Sequence, residues 1–166
     1  MRIAVTGRPG TGKTTLCIKV YEALKSRMKI SGFITVEERE KGVRVGFKLI
    51  DLVSNLSAQL ARVGGGKIMV GKYEVLVENF DIFLDKLDLD GELLILDEVG
   101  PMELKSKKFV SIVQDLIERE NLLFTVHYRF NHPLIERIRR DFKVYVIDER
   151  NRNTVLNEIV RIYVRD

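Results

Sequence analysis

Eight residues near the start of the chain have the types and spacing to bind phosphate: Gly7, Arg8, Pro9, Gly10, Thr11, Gly12, Lys13 and Thr14. They fit the pattern G-x-x-x-x-G-K-[ST]. Glycines let a backbone fold tightly around an anion and turn several N–H groups inward. A helix starting at the loop's end aims its free N–H groups and positive dipole end at the same anion. Pro9 stiffens the loop. Lys13 adds a full charge within reach of β- and γ-phosphates. The Thr14 hydroxyl is a ligand for Mg²⁺, and Thr15 is placed to bond the α-phosphate. The expected ligand is a nucleoside triphosphate, such as ATP or GTP, with Mg²⁺.

A second run, Leu93-Leu94-Ile95-Leu96-Asp97-Glu98, is an apolar strand that ends in two carboxylates. Ligands of open α/β sheets bind at the carboxyl ends of the strands. Asp97 suits a metal role, acting through the water shell that Mg²⁺ keeps. Glu98 suits a base that polarises water for attack on the γ-phosphorus. Glu103 is a further carboxylate nearby, and Met102 reads as packing.

Phosphoryl transfer also benefits from an arginine beside the developing charge. The candidates are Arg129, Arg137, Arg139, Arg150 and Arg152. Arg129, just past a predicted strand end, is the one expected to sense the γ-phosphate and act in catalysis. Asn151 and Arg152 follow the last strand, where a turn would touch the base or ribose. His127 also lies at a strand end. His132, before Pro133, reads as a helix cap or surface residue, and Cys17 as packed. No Cys/His cluster has metal-ligand spacing, so Mg²⁺ is the one metal expected.

The elements that must position these residues follow from periodicity. A strand is predicted over Arg2 to Thr6, then a helix from about Lys13 to Met28 with Leu16, Val20, Ala23 and Leu24 on one face. Phe33 to Glu40 and Val43 to Ile50 alternate with period two about Lys41-Gly42, a hairpin signal. In the second run Val43, Val45, Phe47 and Leu49 point one way, and Arg44, Gly46 and Lys48 the other. Val63 to Lys67 reads as a loop, and Lys67 to Val77 as another hairpin bending near Gly71. A helix is predicted over Phe80 to Leu87 and a buried parallel strand over Glu92 to Asp97. Helices are predicted over Ser106 to Arg119, Pro133 to Arg140 and Thr154 to Tyr163, with strands at Leu122 to His127 and Phe142 to Ile147. This alternation argues for a three-layer α/β domain with added antiparallel hairpins.

The chain has 166 residues, 45% hydrophobic and 31% charged, which suits one domain over residues 1–166. No apolar stretch approaches the ~20 residues of a membrane span, so no membrane partner is expected. Ile3 to Val5 is too short an apolar run for a signal peptide. A single cysteine fits a reducing compartment, and a cytoplasmic monomer or weak oligomer is expected. The net charge of +4 is mildly basic. It permits nucleic acid as a partner, but acids separate most of the bases and no aromatic-basic stacking platform is present.

Beyond the generic loop, most of the chain resembles the thermophile-type nucleoside-triphosphatases, P-loop NTPases related to the cancer-related nucleoside-triphosphatase of animals. The resemblance rests on Gly7 to Thr15, on Gly32-Phe33 with Thr35, Glu37 and Arg39, and on Arg44-Val45-Gly46-Phe47. Asp97-Glu98-Val99-Gly100-Pro101-Met102-Glu103-Leu104 looks like the family's D-E-x-G-x-M-E-L, and Asn151-Arg152-Asn153 also matches. Val63 to Tyr73 matches none of these motifs. The resemblance implies a RecA-like, mostly parallel sheet with one strand between the glycine-loop strand and the Asp97 strand. It further implies Mg²⁺-dependent hydrolysis of nucleoside triphosphates with broad base tolerance. Lys13 and Thr14 would bind phosphate and metal, Asp97 would support the metal and Glu98 would activate water. Two other readings share the loop: a small nucleoside or nucleotide kinase, and a nucleic-acid-stimulated NTPase.

Overall fold

The computed structural model describes residues 1–165; Asp166, the last residue of the expected domain, lies outside the described residues. Among the described residues nine strands form one sheet. In chain order they are β1 (Arg2–Thr6), β2 (Ile30–Glu40), β3 (Val43–Asp51), β4 (Ser57–Val63), β5 (Met69–Val70), β6 (Tyr73–Val75), β7 (Leu93–Val99), β8 (Leu122–Val126) and β9 (Lys143–Val146). Their order across the sheet is β5-β6-β4-β3-β2-β7-β8-β1-β9. The strands β2, β7, β8, β1 and β9 run parallel, and β8 is the strand between β1 and β7, as expected. From β2 outward every pairing is antiparallel. The two expected hairpins are therefore joined into one extension by β4, a strand the sequence pattern did not announce.

The five helices are α1 (Lys13–Leu24), α2 (Val77–Lys86), α3 (Lys107–Leu116), α4 (Pro133–Asp141) and α5 (Arg152–Arg165). Successive side chains of a strand point to opposite faces, and β7 shows the consequence. Leu93 and Ile95 pack with Leu16, Val20, Ile159 and Tyr163 of α1 and α5. Leu94 and Leu96 pack with Phe80, Phe109, Val113 and Ile135 of α2, α3 and α4. Three layers result. Among the described residues no helix is long and apolar enough to cross a membrane.

Local chemistry accounts for the boundaries that matter to the cleft. Lys41 and Gly42 both have positive φ, as a two-residue hairpin turn matching the sheet's twist requires. Ser106 caps α3 by accepting from Phe109 N–H and donates to Asp81 of α2 at 2.6 Å. His132 caps α4 through Nδ1, ahead of Pro133. The helix α1 ends at Leu24, short of the expected Met28, where Arg27 N–H and Met28 N–H both fold back to the Leu24 carbonyl.

Two bulges break the alternation next to the glycine loop. In β7 the register runs from Leu96 opposite Phe124 to Val99 opposite Val126, so Asp97 and Glu98 together face Thr125. In β3 Glu38 lies opposite Gly46 and Arg39 opposite Arg44, so Val45 is the extra residue. A bulge of this kind re-aims every side chain beyond it. The expected alternation of β3 is corrected here: Arg44 joins the face of Phe47, and its guanidinium lies over the Phe47 ring at 5.3 Å.

Candidate active site

The loop from Gly7 to Thr14 joins β1 to α1. Gly10 and Gly12 have φ of 81° and 97°, conformations that side chains resist. Gly7 packs so closely that an added Cβ would meet the Ile147 carbonyl at 2.6 Å. The cap position of α1 is Gly12, which offers no side-chain acceptor, and the first turn carries no acid. The first N–H groups of α1 are therefore left without a side-chain cap, which is the condition for an anion site. The Lys13 ammonium folds over the loop and donates to the carbonyls of Gly7 at 2.8 Å and Arg8 at 3.3 Å.

A cleft of about 910 Å³ opens over this loop. Gly7, Pro9, Gly10, Gly12, Lys13, Thr14 and Thr15 form its floor; Asp97, Glu98, Glu103, His127 and Tyr128 line one side. Thr35 sits beside Asp97, and from it the wall continues through Glu37, Arg44, Phe47, Lys72 and Tyr73 of the antiparallel extension.

Asp97 is buried, and its carboxylate is held from three sides. Oδ1 accepts from the Thr125 hydroxyl at 2.7 Å and Oδ2 from Thr35 N–H at 3.2 Å, with the Thr14 hydroxyl also bonded to it. The Thr35 hydroxyl donates to the Asp97 carbonyl, and Thr14 Oγ1 lies 3.4 Å from the Thr35 carbonyl. Burial pushes the Asp97 carboxyl up, against the opposing hydroxyls, the Thr35 N–H and the Lys13 charge. A hydroxyl and a carboxylate are the hard oxygen donors that Mg²⁺ takes, and Mg²⁺ needs few protein ligands because phosphate and water complete its shell. Among the described residues no group of three or more His, Cys, Asp or Glu is placed to hold a metal ion.

Glu98 would point away from the Asp97 side in a regular strand; the β7 bulge lets both line the cleft. Burial, then the Asp97 charge, push its carboxyl up to about 7 against the pull of Lys13. Glu103, on a single 3-10 turn (Glu103–Lys105), is fully buried beside it. Burial, then Glu98, hold the Glu103 carboxyl well above the usual range. His127 Nδ1 accepts from the N–H groups of Arg129 and Phe130 at 3.2 and 3.0 Å, which leaves Nε2 to carry the proton. Burial, then Lys13 and Arg139, lower its pKa, so the ring is neutral at neutral pH.

One cleft thus gathers the uncapped start of α1, Lys13, the Thr14 hydroxyl beside the Asp97 carboxylate, and the raised carboxyl of Glu98. Residues 2–160 match the family model described as NTPase. The chain belongs to the NTPase family. It is 62% identical over 162 residues to the nucleoside-triphosphatase THEP1 of Archaeoglobus fulgidus, covering 98% of each chain. The crystal structure of THEP1 from the hyperthermophile Aquifex aeolicus superposes with a TM-score of 0.85 at 32% identity, over 98% of both chains. The solution structure of a human cancer-related nucleoside triphosphatase gives 0.75 at 31% identity, over 98% of this chain and 96% of that one. These likenesses agree with the expected family and with the α/β fold built on a parallel core.

Within this NTPase fold not every residue singled out from the sequence reaches the cleft. Arg8 and Thr11 belong to the loop but are not among the residues lining the cleft; Thr11 Oγ1 donates to the Arg8 carbonyl at 2.8 Å. Arg129 is exposed, its guanidinium 5.5 Å from the Tyr128 ring centre, and does not line the cleft. Arg139 secures the end of β8 by donating to the carbonyls of His127 and Tyr128. Arg137 pairs at the surface with Glu118 and Asp141. Asn151 is committed to its turn: Oδ1 accepts from Asp148 N–H and Nδ2 donates to the Val146 carbonyl. Arg152 lies against the outside of the loop, with Nη1 3.4 Å from the Thr11 carbonyl. Arg150 stays exposed. Conversely, Arg44, Phe47, Lys72 and Tyr73 reach the cleft without a role foreseen from sequence. For Arg44 the signal was present in the family-like run Arg44 to Phe47, but the alternation pointed it away.

Proposed function

We propose that the chain, as one domain over residues 1–166, is a Mg²⁺-dependent nucleoside-triphosphate phosphohydrolase converting NTP and water to NDP and phosphate. As a member of the NTPase family it is a nucleoside-triphosphatase; the metal, the residue roles and a broad base tolerance are the proposal. The observation that carries it is the placement of Glu98, a base-strength carboxylate, in the cleft that holds Lys13 and the uncapped start of α1.

The loop N–H groups and Lys13 bind the phosphates, and the Lys13 ammonium exchanges its bonds to loop carbonyls for phosphate oxygens. Thr14 and Asp97 would hold Mg²⁺, which when bound neutralises charge on the phosphate oxygens. Glu98 orients the attacking water and takes its proton. Broad base tolerance accords with the place of Asn151, whose amide oxygen and one of whose amide N–H groups are engaged in its own turn.

The test is phosphate release from ATP, GTP, CTP and UTP with Mg²⁺ and with EDTA, without any acceptor. Glu98→Gln is expected to keep nucleotide binding and lose about 10²-fold or more in turnover. Unchanged turnover in that variant, or NTP consumption only when a hydroxyl acceptor is added and takes up the phosphoryl group, defeats the reading.

A further inference from the structure

The hydrolase reading supplies a cradle, a metal corner and a base, but none of the five arginines singled out from sequence lines the cleft. Arg44 does, and it is the one arginine among the lining residues. Its position follows from β2 and the β3 bulge. Thr35 sits at the metal corner, against Thr14 and Asp97. Two residues on, roughly 7 Å along β2 and on the same face, is Glu37. Glu37 lies opposite Phe47, and Arg39 opposite Arg44, so Arg44 shares this face only because Val45 bulges.

Its side chain is held ready. The guanidinium lies 5.3 Å from the Phe47 ring centre and 5.7 Å from that of Tyr73. Its Nε donates to the Tyr73 hydroxyl at 2.8 Å, and Nη1 to Glu37 Oε1 at 3.2 Å. Glu37 is shared, since Arg39 donates to its other oxygen at 2.8 Å. One carboxylate between two guanidiniums leaves an excess of positive charge, and the Lys72 ammonium adds to it from over the Tyr73 ring. Arg44 Nη2 carries no hydrogen bond among the described residues. A half-buried arginine with open N–H donors, aligned by two rings, loses little freedom on binding a phosphate oxygen.

We propose that Arg44 is a catalytic arginine supplied by the antiparallel extension, its guanidinium contacting the terminal phosphoryl group of the bound triphosphate. The assignment rests on the hydrolase reading above. In the step, a bond forms between the water oxygen and the γ-phosphorus, and the water's proton passes to Glu98. The bond from the γ-phosphorus to the β–γ bridging oxygen breaks, and its electron pair stays on the departing diphosphate. Arg44 stabilises the charge gathered on the transferring oxygens. The extension thereby delivers to the site, from within the same chain, a guanidinium to add to the Lys13 ammonium of the parallel core.

The experiment is single-turnover hydrolysis of Mg·ATP and Mg·GTP by the full chain and its Arg44→Ala, Arg44→Lys and Arg44→Gln variants. ADP affinity and melting temperature are measured alongside. Expected is a loss of about 10³-fold in the chemical step for Arg44→Ala. ADP binding should stay unchanged, and Arg44→Lys should recover only part of the rate, because an ammonium lacks the planar fork. Added guanidinium ion should partly restore Arg44→Ala but not Glu98→Gln, with sodium chloride at equal ionic strength having no such effect. If Arg44→Ala unfolds, Arg44→Gln, which keeps a polar side chain toward Glu37, carries the same comparison. Turnover within about threefold of wild type overturns the proposal. So does a loss matched by weaker ADP binding and lower melting temperature without guanidinium rescue. A wild-type chain that releases no phosphate sinks the hydrolase reading itself, an outcome separate from an active Arg44→Ala.

Discussion

The carboxyl groups of Glu98 and Glu103 meet over Gly100. A Cβ placed on Gly100 would lie 2.5 Å from Glu98 Oε1 and 3.2 Å from Glu103 Oε1. Two acids five residues apart thus share one enclosed space, because the residue between them has no side chain. Such a pair loses its protons in two steps, since like charges this close disfavour the doubly ionised form. Glu98 ionises at about 7, and Glu103 keeps its proton well beyond the ordinary glutamate range.

A rate that depends on ionised Glu98 should rise with pH. Its carboxyl, raised to about 7 by burial and Asp97, is mostly protonated below that value and mostly a free base above it. The measured profile of kcat/KM, which reports the free enzyme, should show an ascending limb near pH 7. A flat profile between pH 5 and 8 would remove Glu98 from the role of base.

Burial raises the Glu103 carboxyl and so favours its neutral form, and its amide isostere should be tolerated. Glu103→Gln is expected to keep turnover within about threefold, whereas Glu103→Ala opens a cavity and loses more. Stability gives an independent readout. A folded-state pKa raised above the unfolded value stabilises fully below the unfolded pKa, and that contribution is lost as pH rises through the folded one. Glu103→Gln should therefore gain melting temperature relative to wild type at alkaline pH and little at pH 4. An equal shift at both would mean that Glu103 is already ionised in the fold.

Gly100→Ala fills the space that both carboxyls use. Either Glu98 or the turn after β7 must shift, and a displaced base loses rate steeply with distance. Turnover is expected to fall at least ~10-fold with triphosphate affinity preserved, since the loop and Lys13 are untouched. Steady-state kinetics with a separate binding titration checks the split; a parallel loss of affinity would point to collapse of the cleft instead.

Gly32 sets the approach of β2 to β7. Its φ is 109°, and an added Cβ would lie 1.8 Å from the Ile95 carbonyl oxygen, deep in the sheet. Both backbone strain and the clash oppose Gly32→Ala, which should destabilise by roughly 3 kcal/mol or more. Thermal unfolding should show a drop of roughly 6 °C or more. A melting temperature within a degree of wild type would show that the sheet opens there at little cost.

Much of the candidate site was legible because its residues are contiguous. The run from Gly7 to Thr14 carries its own backbone freedom, charge and hydroxyl, and its flanking strand and helix are marked by their own periodicity. Asp97 and Glu98 were legible as the polar end of an apolar strand. Less legible were elements whose signal lies in their neighbours. β4 reads Ser-Ala-Gln-Leu-Ala-Arg-Val, a weak pattern that becomes a strand by pairing with β3 on one side and β6 on the other. Arg129 and Asn151 stand at strand ends on the cleft side of the sheet, yet local bonds turn both away.

The amino-acid order by itself determined the glycine loop between strand and helix, the family and the parallel core, because each depends on residues adjacent in the chain or repeating at a fixed period. Only the tertiary structure decided which way Glu98 and Arg44 face. Alternation along a strand is a local rule, whereas a bulge is settled by the register a strand adopts against its neighbour. One extra residue in β7 and one in β3 therefore place a carboxylate and a guanidinium in the same cleft.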